Sequence, residues 1–556
     1  MFRPRLIDAL RHYRREDLAA DVGAGVTVGV VALPLAMAFG IASGVSPESG
    51  LFTAIVAGLI ISALGGSRVQ IGGPAGAFVV LLYAIVERYG LANLLLSTMF
   101  AGVLLFAMGA LRLGRLIRFI PVSIVIGFTN GIAVIIAFQQ VRDFLGLSIE
   151  RMPANFFSQI QTLAAAAGTV HLPAVLLGMA SLLLVTLWPK SYLPNDAQWR
   201  KVLARMPGTV AVLVLGALAV HLGLSVETIG SRFGGIPQGL PALAFPEFDW
   251  STAQMLAAPT LSIALLGAIE SLLCARVADT MTGDRHDPNQ ELMAQGIANM
   301  AAPLFGGIAA TGTIARTVTN VRAGARTPVA GIIHALTLLA ILMVLAPVAG
   351  NIPLASLAAI LLYVAWGMAD WKAFGELHRY SLSYRLILLS TFVLTVIFDI
   401  TVAVEVGLGM AGLFFIHRVS RLTRLEPVTL SADQAQTPAG GRIELWRVFG
   451  SLFFGSVDRL EVLSAPGREV PQVLVLDMHQ VINLDTSALE ALQELHTHLQ
   501  RQGGRLLIAE LTGQPLSLIQ RSGFLDQLGR DALFGRLDEA LAAARTGTPV
   551  EPALAE

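Results

Sequence analysis

Gly306-Gly307-Ile308-Ala309-Ala310-Thr311-Gly312-Thr313-Ile314-Ala315-Arg316-Thr317 stands deep in an apolar region, yet it is rich in Gly and Thr and carries an arginine. A plain membrane span would avoid that combination. An earlier stretch, Gly72-Gly73-Pro74-Ala75-Gly76-Ala77-Phe78, has the same character. Both read as a chain that enters a membrane extended and then starts a short helix. Helix N-termini carry roughly half a positive charge and several unpaired N–H groups. Two such ends aimed at one point near the midplane make a cradle for a small anion.

Composition supports a membrane setting. Of 556 residues, 54% are hydrophobic and only 14% are charged; the mean hydropathy is +0.68. Soluble domains carry roughly 25% charged residues. The net charge of zero gives no reason to expect nucleic acid as a partner, and the lone cysteine, Cys274, excludes an internal disulfide and a cysteine-based zinc site. Nothing suggests a cofactor, a metal or an enzyme active site; His286 and Asp287 read as loop and cap residues. The N-terminus is a basic amphipathic run (Arg3, Arg5, Arg11, Arg14, Arg15) rather than a cleavable signal.

A helical span needs roughly 20 apolar residues. Fourteen segments are expected: 22–43, 50–66, 75–87, 92–111, 119–141, 172–189 and 207–224, then 254–275, 288–305, 312–321, 328–349, 353–367, 385–398 and 401–417. The segments starting at Ala75 and Gly312 are too short to cross alone. They need the extended residues before them, held inside protein where backbone groups find partners. With a cytoplasmic N-terminus, the inside loops hold Arg112, Arg115, Arg118, Lys190, Arg200, Lys201, Arg205, Lys372, Arg379, Arg385, Arg418, Arg421 and Arg424. The outside loops hold only Arg88, Arg142, Arg151 and Arg232. That asymmetry is the expected one in an inner (plasma) membrane, and an even span count leaves both termini in the cytoplasm.

Residues 74 and 311 stand 237 positions apart, and the same shift carries the first span onto the eighth. Seven is odd, so the second repeat is inverted. Paired interrupted segments in inverted repeats point to a transporter binding site. The reading is therefore a cytoplasmic segment (1–20), a transmembrane domain (21–418, repeats 22–225 and 254–417), a linker (419–441), a cytoplasmic α/β domain (442–545) and a flexible tail (546–556). In the α/β domain, Ile443–Phe449 and Leu452–Phe454 suggest a hairpin. Val473–Asp477 reads as a buried parallel strand, and Asp485 as the cap of a helix that follows.

The small residues Ala75, Gly76, Ala77, Gly312, Thr313 and Ala315 would let an anion approach the backbone, and Thr311 and Thr313 would add hydroxyl donors. Arg316 is one turn into the second short helix; it either snorkels to the surface or sets the potential of the site. Glu270 sits mid-span in Leu266-Gly267-Ala268-Ile269-Glu270-Ser271-Leu272. It reads as a proton-coupling carboxyl or as a permanent salt-bridge partner, with Arg316 as the candidate.

Three blocks match a known family: Val31-Ala32-Leu33-Pro34-Leu35-Ala36-Met37-Ala38-Phe39-Gly40; Glu270 with Arg285-His286-Asp287-Pro288-Asn289-Gln290-Glu291-Leu292; and Gly324-Ala325-Arg326-Thr327-Pro328. They resemble the sulfate permease (SulP) anion transporters, in a prokaryotic form, and the tail resembles that family's STAS domain. The resemblance implies an α-helical membrane protein of fourteen segments in a 7+7 inverted repeat, with core and gate domains. It implies elevator-like transport and a homodimer. It places Phe39 at the site, with Phe78 as a looser match. In the antagonist proteins that STAS domains resemble, a loop serine is phosphorylated; here that is Ser487 or Thr486, which are otherwise helix-cap residues. The expected function is secondary active transport of a small anion across the lipid bilayer. Proton-coupled symport of a carboxylate or dicarboxylate such as fumarate leads. A sulfate or bicarbonate carrier (sodium-coupled or an exchanger), a passive anion channel and a membrane-tethered signalling scaffold are the alternatives.

Overall fold

The computed structural model describes residues 2–546 except 12, 116–120, 150, 151, 154, 190–206, 235–238, 240–242, 244–253, 399, 432, 433 and 466. Arg118, Arg151, Lys190, Arg200, Lys201 and Arg205, and the tail beyond Thr546, lie outside the described residues. The chain divides into two compact units, Met1–Leu408 and Gly409–Glu556.

A helix coincides with each of the fourteen expected segments. They are α1 (Arg15–Ala42), α2 (Pro47–Leu64), α3 (Gly76–Tyr89), α4 (Leu91–Ala110), α5 (Val122–Gln139), α6 (Leu172–Leu187) and α7 (Gly208–His221). Then come α8 (Ala257–Thr282), α9 (Pro288–Ala301), α10 (Ile314–Arg322), α11 (Val329–Ala349), α12 (Leu354–Met368), α13 (Leu382–Ile397) and α14 (Ile400–Leu422). Six helices among the described residues are long and apolar enough to cross a membrane. Two very short strands, β1 (Gly72–Gly73) and β2 (Thr311–Gly312), precede α3 and α10.

The first unit packs through small residues. Helix α4 lies along α9, and α1 along α11, while α5 pairs with α13 and α6 with α12. A Cβ on Gly102 would come within 2.7 Å of the Gly296 carbonyl, and one on Gly296 within 2.5 Å of the Phe106 amide. Those two backbones approach as closely as glycine permits, the usual means of helix association where lipid removes the hydrophobic drive.

Polar ties fasten these helices to the loops. Asp21 is fully buried in α1 and accepts from the Arg326 and Thr327 amides, at 2.8 and 3.1 Å, and from the Thr327 and Tyr13 hydroxyls. Partial burial and the neighbouring Asp21 carboxylate push the Tyr13 phenol up to about 12, so it stays a donor. The Gly-Ala-Arg-Thr-Pro motif is thus a docking loop for α1. Glu291 plays the same part for the loop after α2, accepting from the Gly66 amide at 2.9 Å and the Ser67 amide at 3.2 Å. Asp21→Ala would orphan two buried amides and a hydroxyl, and each buried donor left unmade costs about 1–3 kcal/mol. A clear drop in the thermal unfolding midpoint of the detergent-solubilised protein is expected; an unchanged midpoint would contradict this role.

The second unit is an α/β domain with a five-stranded sheet ordered β3-β4-β5-β6-β7. Its strands are β3 (Arg424–Val428), β4 (Ile443–Leu452), β5 (Val473–Leu484), β6 (Arg505–Ala509) and β7 (Leu533–Phe534). Two expectations are corrected here. The span expected as a linker contributes edge strand β3, antiparallel to β4. The expected hairpin within 443–454 does not form: β4 runs unbroken for 10 residues and pairs in parallel with β5. Bulges at Arg447/Phe449 and Gly450/Ser451 absorb the glycine that resembled a turn. Asp485 caps the helix α15 (Thr486–Arg501) by accepting from the Ala488 amide at 2.9 Å, and its second oxygen accepts from the Phe454 amide. Thr486 is exposed beside this cap and Ser487 is half-buried.

Candidate functional site

The two Gly-rich stretches meet. Strands β1 and β2 pair antiparallel, Gly72 opposite Gly312 and Gly73 opposite Thr311. Each chain therefore leaves the crossing in the opposite direction, and helices α3 and α10 begin on either side of it with their N-termini toward it. Ala75 and Thr313 are the N-cap residues, and neither caps its helix with a side chain. No hydrogen bond among the described residues reaches the amides of Gly76, Ala77, Ile314 or Ala315. Four N–H groups are thus left at one place, the arrangement that attracts anions.

Extended backbone inside a membrane protein needs partners, and buried side chains supply them. Thr53 Oγ1 accepts from the Ile308 amide at 2.7 Å. Asn299 bonds Ala310 twice, accepting from its amide at 2.8 Å and donating to its carbonyl at 2.9 Å. Across the crossing, Thr317 Oγ1 accepts from the Ile71 amide at 3.0 Å, and Asn320 donates to the Val69 carbonyl at 2.9 Å. This service also occupies the two hydroxyls expected as anion donors. Thr311 Oγ1 donates to the Gly267 carbonyl at 3.1 Å, and Thr313 Oγ1 to the Ile71 carbonyl at 3.0 Å. Each hydroxyl has one proton, so backbone N–H groups, rather than the threonine O–H groups, are the free donors at this crossing.

Arg316 does not snorkel. It is 1% exposed, and both Nη1 and Nη2 lack a hydrogen-bond partner. Its guanidinium lies against β1, because a Cβ on Gly73 would collide with Nη1. Glu270, 8% exposed in α8, has neither a hydrogen bond nor an ion pair among the described residues. The salt bridge between them, one of the two readings for Glu270, is absent among the described residues. One buried guanidinium and one buried carboxyl thus stand without a partner among the described residues of the first unit.

Phe39 is 5% exposed, and its Cε1 would lie 3.3 Å from a Cβ on Gly76. Its ring therefore borders the first residue of α3. Met368, at the end of α12, approaches the same point, with Sδ 2.9 Å away. Sequence alone offered no signal for Met368, an apolar residue ending an apolar helix. Phe78 is 1% exposed, and its ring tip reaches Gly267 beside Leu105, so it packs α3 against α8. Ala75, Ala77 and Gly312 are buried at the crossing, whereas Ala315 is exposed on the first turn of α10. Among the described residues, no group of His, Cys, Asp and Glu could hold a metal ion; His286 instead bonds Asp279, and Asp287 caps α9.

Similarity to known proteins identifies the family and the fold. The Sulfate permease family profile matches residues 18–391, and the STAS domain profile matches residues 434–540. The chain is 41% identical over 543 residues to the "Putative sulfate transporter YvdB" of Bacillus subtilis (strain 168), covering 96% of this chain and 99% of that one. It is 31% identical to the bicarbonate transporter BicA of Synechocystis sp. (strain ATCC 27184 / PCC 6803 / Kazusa), with 90% of each covered. The solved transmembrane domain of a cyanobacterium bicarbonate transporter BicA aligns with a TM-score of 0.63 at 33% identity, covering 71% of this chain and 98% of that one. Murine Slc26a9, an anion transporter solved in the inward-facing state, shares the fold at a TM-score of 0.84 and 17% identity, over 97% and 94% of the two chains. The chain is a multi-pass membrane transporter rather than an enzyme, and it belongs to the sulfate permease family of anion transporters with a C-terminal STAS domain.

Proposed function

We propose that this protein is a secondary active transporter that carries one small oxyanion together with a proton. The anion would bind at the β1–β2 crossing, between the N-termini of α3 and α10. The observation that carries the reading is the pair of unpartnered buried charges. A lone buried charge is costly. An anion beside Arg316 and a proton on Glu270 would relieve both at once and leave the core near neutral. Sodium at Glu270 would serve the same balance, and exchange of one anion for another is the remaining coupled alternative.

Nothing in the site favours a dicarboxylate: there is one guanidinium, and the two threonine hydroxyls are occupied. Sulfate and bicarbonate, for which the similar proteins are named, therefore come ahead of fumarate. The fourteen segments would form the 7+7 inverted repeat, with α1–α4 and α8–α11 as the moving core and the other helices as gate. The antiparallel crossing is what an inverted repeat requires. A plasma-membrane location with cytoplasmic termini rests on the loop charges, a homodimer rests on the family resemblance, and Thr486 and Ser487 are the proposed regulatory positions.

The test is uptake into proteoliposomes. Sulfate, bicarbonate and fumarate are offered in turn under an imposed pH gradient, acid on the loading side. Accumulation of sulfate or bicarbonate above equilibrium, collapsed by a protonophore, is expected. Downhill flux alone would make the protein a channel, and the absence of any flux would favour a signalling scaffold.

A further inference from the structure

A second charged site lies away from the strand crossing. A cavity of about 1310 Å³ opens between the C-terminal ends of α1 and α3, the end of α5, and the short helices Val141–Leu145 and Ile229–Phe233. Among the described residues, five charged ones line it: Glu87, Arg142, Asp143, Glu227 and Arg232. Four of them are engaged. Arg232 donates from Nη1 to Asp143 Oδ1 at 2.8 Å and from Nε to Glu227 Oε1 at 2.9 Å, with Nη2 on the other Glu227 oxygen. Glu87 has its own partner.

Arg142 is the exception. Its nearest acid is its chain neighbour Asp143, 3.7 Å from Nε, which is beyond hydrogen-bond length. It makes no hydrogen bond among the described residues, and Nε is fully buried without a partner. The side chain is only 18% exposed. Gln139 and Gln140 line the same cavity, and the Gln139 acceptor Oε1 is buried and unpartnered. A largely buried guanidinium whose Nε has no partner is a costly arrangement, which a bound anion would relieve. Asp143 lies too far from Arg142 Nε for a hydrogen bond, and its nearer oxygen is already engaged by Arg232.

We propose that this cavity is a second anion site, in which Arg142 holds a small halide or oxyanion with the carboxamide N–H groups of Gln139 and Gln140 as supplementary donors. It is separate from the transport site, and it stands whether or not the coupling mechanism proposed above is correct. Arg232, bonded to both Asp143 and Glu227, lowers the repulsion those two carboxylates would exert on the anion.

Bromide tests this directly through its anomalous X-ray scattering. Crystals of the full-length protein are grown in sodium bromide, and the anomalous map is calculated for the wild type, Arg142→Gln and Arg142→Lys. A peak within about 3.5 Å of the Arg142 guanidinium is expected in the wild type. It should be lost in Arg142→Gln and kept, shifted toward the ammonium, in Arg142→Lys. Wild-type crystals with no bromide at Arg142, or a peak that survives Arg142→Gln, would overturn the proposal. Bromide at the strand crossing is read in the same maps, so either site can fail without the other.

Discussion

Gly73→Ala is expected to abolish anion binding while leaving a folded membrane protein. Gly73 has φ +153°, a region open essentially to glycine, so alanine there is strained by about 1–3 kcal/mol. Its Cβ would also occupy the space of Arg316 Nη1. The guanidinium must then swing away from β1, and Gly73 must hold its register opposite Thr311 while it does so. A shift of either disturbs both N-termini that converge on the crossing. A loss of affinity of at least about 100-fold is expected, equivalent to about 2.8 kcal/mol. The measurement is equilibrium binding of sulfate or bicarbonate, whichever the uptake panel identifies. Because the effect would run through Arg316, the double variant Gly73→Ala/Arg316→Gln should bind no worse than Arg316→Gln alone, a large coupling energy in a double-mutant cycle. Affinity within about threefold of wild type in Gly73→Ala, or additive losses in the double variant, would show that the guanidinium does not act from this position.

Glu270→Gln should separate binding from coupling. Glutamine has the same shape but no charge to titrate. Glu270 has no ion pair or hydrogen bond to lose among the described residues, so the usual penalty for breaking a buried pair does not arise. The unfolding midpoint is expected to stay close to that of the wild type. Anion binding should remain measurable, since Arg316 and the four amides are untouched. Proton-driven accumulation should vanish, and the residual flux should be downhill and insensitive to the pH gradient. Wild-type uptake rises as the loading side is acidified, because the loaded core then carries the proton with the anion. Unchanged proton-driven accumulation in Glu270→Gln would remove Glu270 from the coupling step. A shift from proton to sodium dependence in the wild type would keep the residue and change the ion.

Much of this could be read from residues alone, because the signals are local. Apolar segments of helical length are set by the bilayer, so the positions of α1 to α14 follow from hydropathy. The Gly/Thr run before Arg316 and the Gly-Gly-Pro run before Ala75 announced themselves by interrupting those segments. The Asp485 cap was legible for the same reason, since a cap depends on residues three apart. The legible stretches also carried the family blocks, although the structure gives those blocks mixed duties. Gly324–Pro328 and Glu291 fasten loops to helices, whereas Glu270 stands free.

What the tertiary structure decided is where polar groups spend their bonds, and that depends on residues far apart in the chain. The Gly72–Gly312 pairing spans more than two hundred residues, so no window of sequence contains it. Thr311 and Thr313 look like anion donors until Gly267 and Ile71 take their protons. Arg316 and Glu270 look like an ion pair until each is found without the other. The sheet shows the same limit: Gly450 reads locally as a turn, but pairing with β5 makes it a bulge. Sequence by itself determined that two broken segments with an arginine and a glutamate lie within a membrane domain. Only the packed structure decided that backbone amides, rather than hydroxyls, are the free donors at the crossing and that the guanidinium and the carboxyl are not paired with each other. The reason is that buried extended carbonyls compete for the nearest proton and must be satisfied before any ligand is.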